Sequence, residues 1–147
     1  AIRSGRRLDR KLGRDDEGER ILLQALEVLP TSAETLHALG LLRARQGKSR
    51  DAIDLLRRAA ELRPETARMS YVHAIALQSS GDLPGAMGVL ESAHRRRPAD
   101  RNILTALATI SRDRGDRESA VRWAEQLLEL SPGNQDVRAF LEELRRQ

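Results

Sequence analysis

Cysteine is absent from this 147-residue chain. That excludes disulfides, thiolate nucleophiles, CxxC metal sites and CxxCH haem attachment. The absence fits a cytoplasmic and a periplasmic protein equally. Aromatic residues are almost absent too, with one each of Trp123, Tyr71 and Phe140. Alanine and leucine must therefore fill the core, which suits closely approaching helices and not a β-sandwich. No apolar run approaches the ~20 residues a spanning helix needs, so membrane insertion is not expected. Lys11 and Lys48 are the only lysines among 26 cationic side chains. Such dominance of arginine, whose codons are mostly GC-rich, points to a bacterial origin. A signal-peptide pattern is missing. The chain begins at Ala1 rather than Met, however, and is expected to be a piece of something longer, so no compartment is assigned.

What is present is periodic. Pro30, Pro64, Pro98 and Pro132 are spaced 34 residues apart, and so are Gly13, Gly47, Gly81 and Gly115. A third register holds only small residues: Gly18, Ala52, Ala86 and Ala120. Three registers with one period mark a single structural unit, repeated.

Residues 33–66 show what one unit does. Thr31 and Glu34 have capping-box spacing. Leu36, Leu39 and Leu42 give the first helix an apolar face. Gly47 ends that helix, as a residue tolerant of positive φ should. A second helix follows from about Ser49, with Ala52, Ile53, Leu56, Ala59 and Ala60 on its inner side. Pro64 stops it. The small positions Gly40, Ala74 and Ala108 on first helices, and Ala52, Ala86 and Ala120 on second helices, let antiparallel partners approach to near the lower end of ~8–10 Å. The row Ile21, Leu55, Val89 and Trp123 is expected to fill the sides. Trp123 beside Ala124, where neighbouring units carry a large residue, suggests a volume exchange. Helices are expected at about 2–12, 16–29, 33–46, 50–62, 67–80, 84–96, 101–114, 118–130 and 135–145.

The spacing Leu36, Leu39-Gly40, Gly47, Ala52, Leu56, Ala59, Pro64 resembles the tetratricopeptide repeat (TPR) signature. The next unit matches it through Ala74, Leu77, Gly81, Ala86, Leu90, Ala93 and Pro98. The third matches through Leu104, Leu107-Ala108, Gly115, Ala120, Leu127 and Pro132. The resemblance implies an all-α, right-handed TPR solenoid of antiparallel helix pairs. It would comprise an irregular partial repeat (1–32), three repeats (33–66, 67–100 and 101–134) and a C-terminal capping helix (135–147). A shorter likeness, in residues 71–77 and 111–116, is to TPR tails of bacterial multihaem cytochromes.

In that family the first helix of each repeat lines a concave groove. By position, the groove would hold His37, Leu41 and Arg45, then Arg68, Tyr71, Val72, Ile75 and Gln78, then Asn102, Thr105, Thr109 and Arg112. This mixed surface suits a protein or peptide partner of some acidic character. The family's lysine, asparagine and arginine clamp for a terminal carboxylate is not carried, because its places include Ala38, Arg68 and Val72.

No catalytic constellation accompanies the repeats. There is no HExxH, P-loop, GxSxG or GxGxxG in context. His37, His73 and His94 lack metal-pair spacing, so no metal or cofactor is expected. The formal charge is +4. Residues 1–14 hold six cations (Arg3, Arg6, Arg7, Arg10, Lys11, Arg14) against Asp9, a local +5, which leaves the rest at −1. No aromatics interleave with that basic stretch, so nucleic acid is not an expected partner. A homo-oligomer contact through the N-terminal helix is an expected alternative role for it. The functional expectation is a non-catalytic protein-binding adaptor or assembly scaffold, not an enzyme. The runner-up is a structural segment of a larger bacterial enzyme or cytochrome, acting as scaffold or dimer contact.

Overall fold

A computed structural model of the chain describes the backbone of residues 2–147 and the side chains of residues 14–147. Among these residues there are eight α-helices and no strand. They are α1 (Ile2–Val28), α2 (Ala33–Arg45), α3 (Ser49–Leu62), α4 (Ala67–Ser79), α5 (Leu83–Arg96), α6 (Arg101–Asp113), α7 (Arg117–Leu130) and α8 (Gln135–Arg146). The chain divides into two compact units, Ala1–Arg63 and Pro64–Gln147.

One turn design closes each of the pairs α2–α3, α4–α5 and α6–α7. Gly47, Gly81 and Gly115 have φ of 77°, 91° and 81°. Among the described residues only these three positions reach the left-handed region, where a residue without a Cβ is needed. The next N–H reaches back to a helix carbonyl: Lys48 to Arg43, Asp82 to Leu77 and Asp116 to Ser111, each at 2.9 Å. These bonds satisfy carbonyls that the helix end leaves free. The following second helices are capped by Asp82, which accepts from Gly85 N, and by Asp116, which accepts from Ser119 N. The Ser119 hydroxyl and N–H hold the Asp116 carboxyl below its ordinary range.

In the Ala1–Arg63 unit, α2 buries Leu36, Leu39, Gly40 and Leu42 against Ala52, Leu55, Leu56, Ala59 and Ala60 of α3. The fit at Gly40 is tight. A Cβ there would lie 2.8 Å from Leu56 Cγ and Cδ2, and 3.3 Å from the Leu56 nitrogen. The cap of α2 is not Thr31 but Ser32, whose Oγ accepts from Thr35 N at 3.3 Å. Ser32 has the extended backbone a cap requires. Glu34 turns away and pairs with Arg63.

The largest departure from expectation is α1. Two helices were to meet at Gly13, but α1 runs through it without a break. The register explains this. Arg6 occupies the place of Gly40, and Gly5 the place of buried Leu39. A hairpin at Gly13 would drive Arg6 against Leu22, the counterpart of Leu56, and would lose a core leucine. A straight helix keeps its hydrogen bonds at ~1 kcal/mol for an internal glycine. Without a folded-back partner, Ile21 is 59% exposed where Leu55 is 9% exposed. The expected row therefore holds only from Leu55 onward.

In the Pro64–Gln147 unit, one cluster joins Ala74, Ala86, Met87, Leu90 and Ala93 to Ile103, Ala106, Leu107 and Ile110. Val137, Leu141 and Leu144 of α8 join clusters with α6 and α7 residues, while Glu142, Glu143, Arg145 and Arg146 stay exposed. Trp123 packs against all three clusters and meets His94 edge-on at 5.0 Å. Ser70 and His73, which replace leucines of neighbouring repeats, are buried.

Candidate functional site

The first helices carry the candidate residues, and the two units treat them differently. On α2, His37 and Leu41 are half-buried and Arg45 is exposed. Arg45 is not free, because its Nη2 lies 3.4 Å from Asp15 Oδ1 of α1. Nearby, Arg43 pairs with Glu19 and also donates to Gln46 Oε1 at 3.0 Å. The Arg43 guanidinium, helped by Gln46, holds the Glu19 carboxyl below its ordinary range. Here the polar groups of α2 serve to hold α1.

On α4 and α6, Arg68, Asn102, Thr105 and Arg112 are exposed, while Tyr71, Val72, Ile75, Gln78 and Thr109 are half-buried. The threonine hydroxyls fold back onto their own helix, Thr105 onto Arg101 O at 2.8 Å and Thr109 onto Ala106 O at 3.2 Å. Arg112 is held as well. Its Nε and Nη2 both lie 3.2 Å from Asp113 Oδ1, and its guanidinium sits 5.3 Å from the Phe140 ring centroid.

Arg68, Tyr71 and Asn102 are different. Together with Ala67 and Asp100 they line one pocket of about 100 Å³ between the starts of α4 and α6. None of their side-chain polar atoms has a hydrogen-bond partner among the described residues. Asp100 does have one, since its Oδ1 accepts from Ile103 N at 3.0 Å as the cap of α6. The structure thus gathers three of the expected residues and leaves Arg112 apart from them. Asp100 and Ala67 were not anticipated. The interval from Pro98 to the α6 register held the signal for Asp100, because an aspartate there is a cap candidate.

Elsewhere Arg97, at the end of α5, donates from Nε to Glu65 O at 3.1 Å and ties that end to the turn before α4. Arg3, Arg6, Arg7, Arg10 and Lys11 lie outside the residues whose side chains are described. No group of three His, Asp or Glu among the described residues is placed to hold a metal ion. None of the described helices is long and apolar enough to cross a membrane.

Two family models, both described as tetratricopeptide repeat, match residues 37–101 and 103–138. The chain belongs to the tetratricopeptide repeat family. TPR repeat-containing protein PA4299 of Pseudomonas aeruginosa is 36% identical over 80% of this chain and 47% of its own length. TPR repeat-containing protein YpiA of Bacillus subtilis is 24% identical over 86% of this chain and 30% of its own length. The chain therefore spans about half, or less, of the curated relatives it matches. Among solved TPR structures, one of MamA has a TM-score of 0.79 at 21% identity, covering 93% of this chain and 80% of that one. MamA from AMB-1 has 0.71 at 26% identity, covering 84% and 68%. YrrB, described as a TPR protein with an unusual peptide-binding site, has 0.73 at 15% identity, covering 88% and 67%. These likenesses establish the TPR fold of helix pairs. TPR proteins are scaffolds for protein–protein interaction and in general not catalytic.

Proposed function

We propose that this chain is an adaptor or assembly module that binds a peptide or partner protein through the faces of its first helices. In this reading residues 33–66, 67–100 and 101–134 are its three repeats. Residues 1–32 are a partial unit, and 135–147 form a solvating cap. The observation that carries the proposal is the group Arg68, Tyr71 and Asn102. Three side chains whose donors have no partner among the described residues line one recess and are free to meet a ligand, whereas the hydroxyls of Thr105 and Thr109 donate to their own helix. A partner of acidic character suits Arg68.

The test starts from a partner captured from native lysate and then titrated. Tyr71→Ala is expected to weaken its binding by ~2 kcal/mol, about thirtyfold in Kd. Tyr71→Phe keeps the ring packed against the core beneath and isolates the hydroxyl. Equal binding by the parent and Tyr71→Ala, with loss on neutralising Arg3, Arg6, Arg7 and Arg10 instead, would move the site to α1.

One observation favours a second reading, in which the chain is a structural segment and α1 a contact between two copies. Leu23 and Leu29 are exposed at registers where the other repeats carry Arg57, Glu91 and Glu125, or Arg63, Arg97 and Ser131. Together with exposed Ile21, these two leucines make the outside of α1 and the residue after it more apolar than the matching places of the other repeats. Sedimentation at increasing concentration checks it. A dimer that Ile21→Glu with Leu23→Glu dissociates supports this reading, and a monomer at all concentrations retires it.

A further inference from the structure

We infer that the recess between the starts of α4 and α6 takes one acidic side chain of an extended peptide, with Arg68 and not Arg112 as the cation that reads it. This rests on the groove reading above and deepens it. The two arginines look equivalent in sequence, but they are not equivalent in the fold. Arg112 is paired with Asp113 and lies over Phe140, so an incoming carboxylate would have to displace Asp113. Arg68 has no ion pair among the described residues, and its guanidinium offers five N–H donors.

The other linings point to the same chemistry. Tyr71 adds a hydroxyl donor, and Asn102 adds an amide with two. Three donor-bearing side chains facing one recess match a group that is rich in acceptors. Asp100 is the only anion lining it. One of its oxygens is committed to Ile103 N, and the α6 N-terminus that it caps offsets its charge. Its other oxygen suits a backbone N–H of the same peptide. The recess, about 100 Å³ and open to solvent, has room for a carboxylate with its methylene stem.

The experiment uses the whole 147-residue chain. A displayed library of random dodecapeptides is panned on it, and the most enriched sequence is titrated by fluorescence anisotropy. Each acidic residue of that peptide is changed in turn to its amide. The parent is expected to lose about tenfold or more in affinity at one such change, as for a hydrogen bond to a charged group. Arg68→Gln should abolish that discrimination, and Arg112→Gln should preserve it. Both arginines are exposed, so unchanged far-UV circular dichroism is the control. Enriched peptides without acidic residues, or discrimination that survives Arg68→Gln, would overturn the inference. If those peptides still depend on Tyr71, the groove reading stands without it. Binding indifferent to both Tyr71 and Arg68, or a selection that enriches nothing, retires both.

Discussion

Leu56→Ala is expected to destabilise the Ala1–Arg63 unit by ~2–5 kcal/mol, the range for emptying a fully buried leucine site. Leu56 is 1% exposed and its side chain covers Gly40, where an added Cβ would lie 2.8 Å from Leu56 Cγ and Cδ2. Collapse into the void is limited, because Ala52, Ala59 and Ala60 around it are short and fixed to the same helix. The converse change is informative. Gly40→Ala brings a Cβ within 2.8 Å of the Leu56 side chain and should cost ~1–3 kcal/mol through overpacking. In a Leu56→Ala background those two contacts are gone, and only the Leu56 nitrogen at 3.3 Å remains. The double variant should therefore lie at least ~1 kcal/mol above the sum of the singles. Urea unfolding followed by circular dichroism measures the cycle. Strict additivity would show that Gly40 is small for a reason other than Leu56.

The same pair explains why most of the fold was legible from residues. Proline, glycine and small side chains repeat at fixed positions, and each has one local consequence. From α2 to α8 the helix ends therefore fall within a residue of expectation. The sequence misled where one register held and its partner did not. Gly13 keeps the turn position, but Arg6 and Gly5 remove the packing that would make a turn worthwhile. Glycine permits a reversal without compelling one. The α2 cap was misplaced by one residue because Thr31 and Ser32 both offer a hydroxyl, and backbone angles decide between them.

The candidate site was legible in outline only. Position along the repeat identifies which residues lie on the first helices, and of the candidates Arg45, Arg68, Asn102, Thr105 and Arg112 are exposed while the rest are half-buried. Position says nothing of whether a donor is already engaged, which depends on rotamers and on residues distant in sequence. Arg112 is restrained partly by Phe140, a whole helix away. Arg45 is held by Asp15, which lies on the uninterrupted α1. Thr105 and Thr109 could equally have turned outward. Twelve residues of similar promise thus resolve into three that remain unengaged together.

Trp123→Ala is expected to cost ~3 kcal/mol or more, near the lower end for a large aromatic because the indole is half-exposed. Its importance comes from position. Trp123 packs against each of the three clusters of the Pro64–Gln147 unit, including the one that carries Leu141 and Leu144. As the sole tryptophan it also reports its own site by fluorescence. A sharper question is whether it replaces the missing volume at Ala124. Adjacent helical residues point about 100° apart, so one cannot simply occupy the other's space. Both nevertheless face the cluster of Ala108, Ala120, Leu141 and Leu144. Ala124 is fully buried, so Ala124→Leu alone should cost ~1–3 kcal/mol by overpacking. Trp123→Leu alone should leave a gap on the same cluster. The double change restores the Leu55-Leu56 pattern of the earlier repeat, and should be at least ~1 kcal/mol more stable than the two singles predict. Thermal melts of the four proteins give the coupling directly. If it is absent, the small residue at 124 is set by the close approach of α6 or α8, and the indole fills a space of its own.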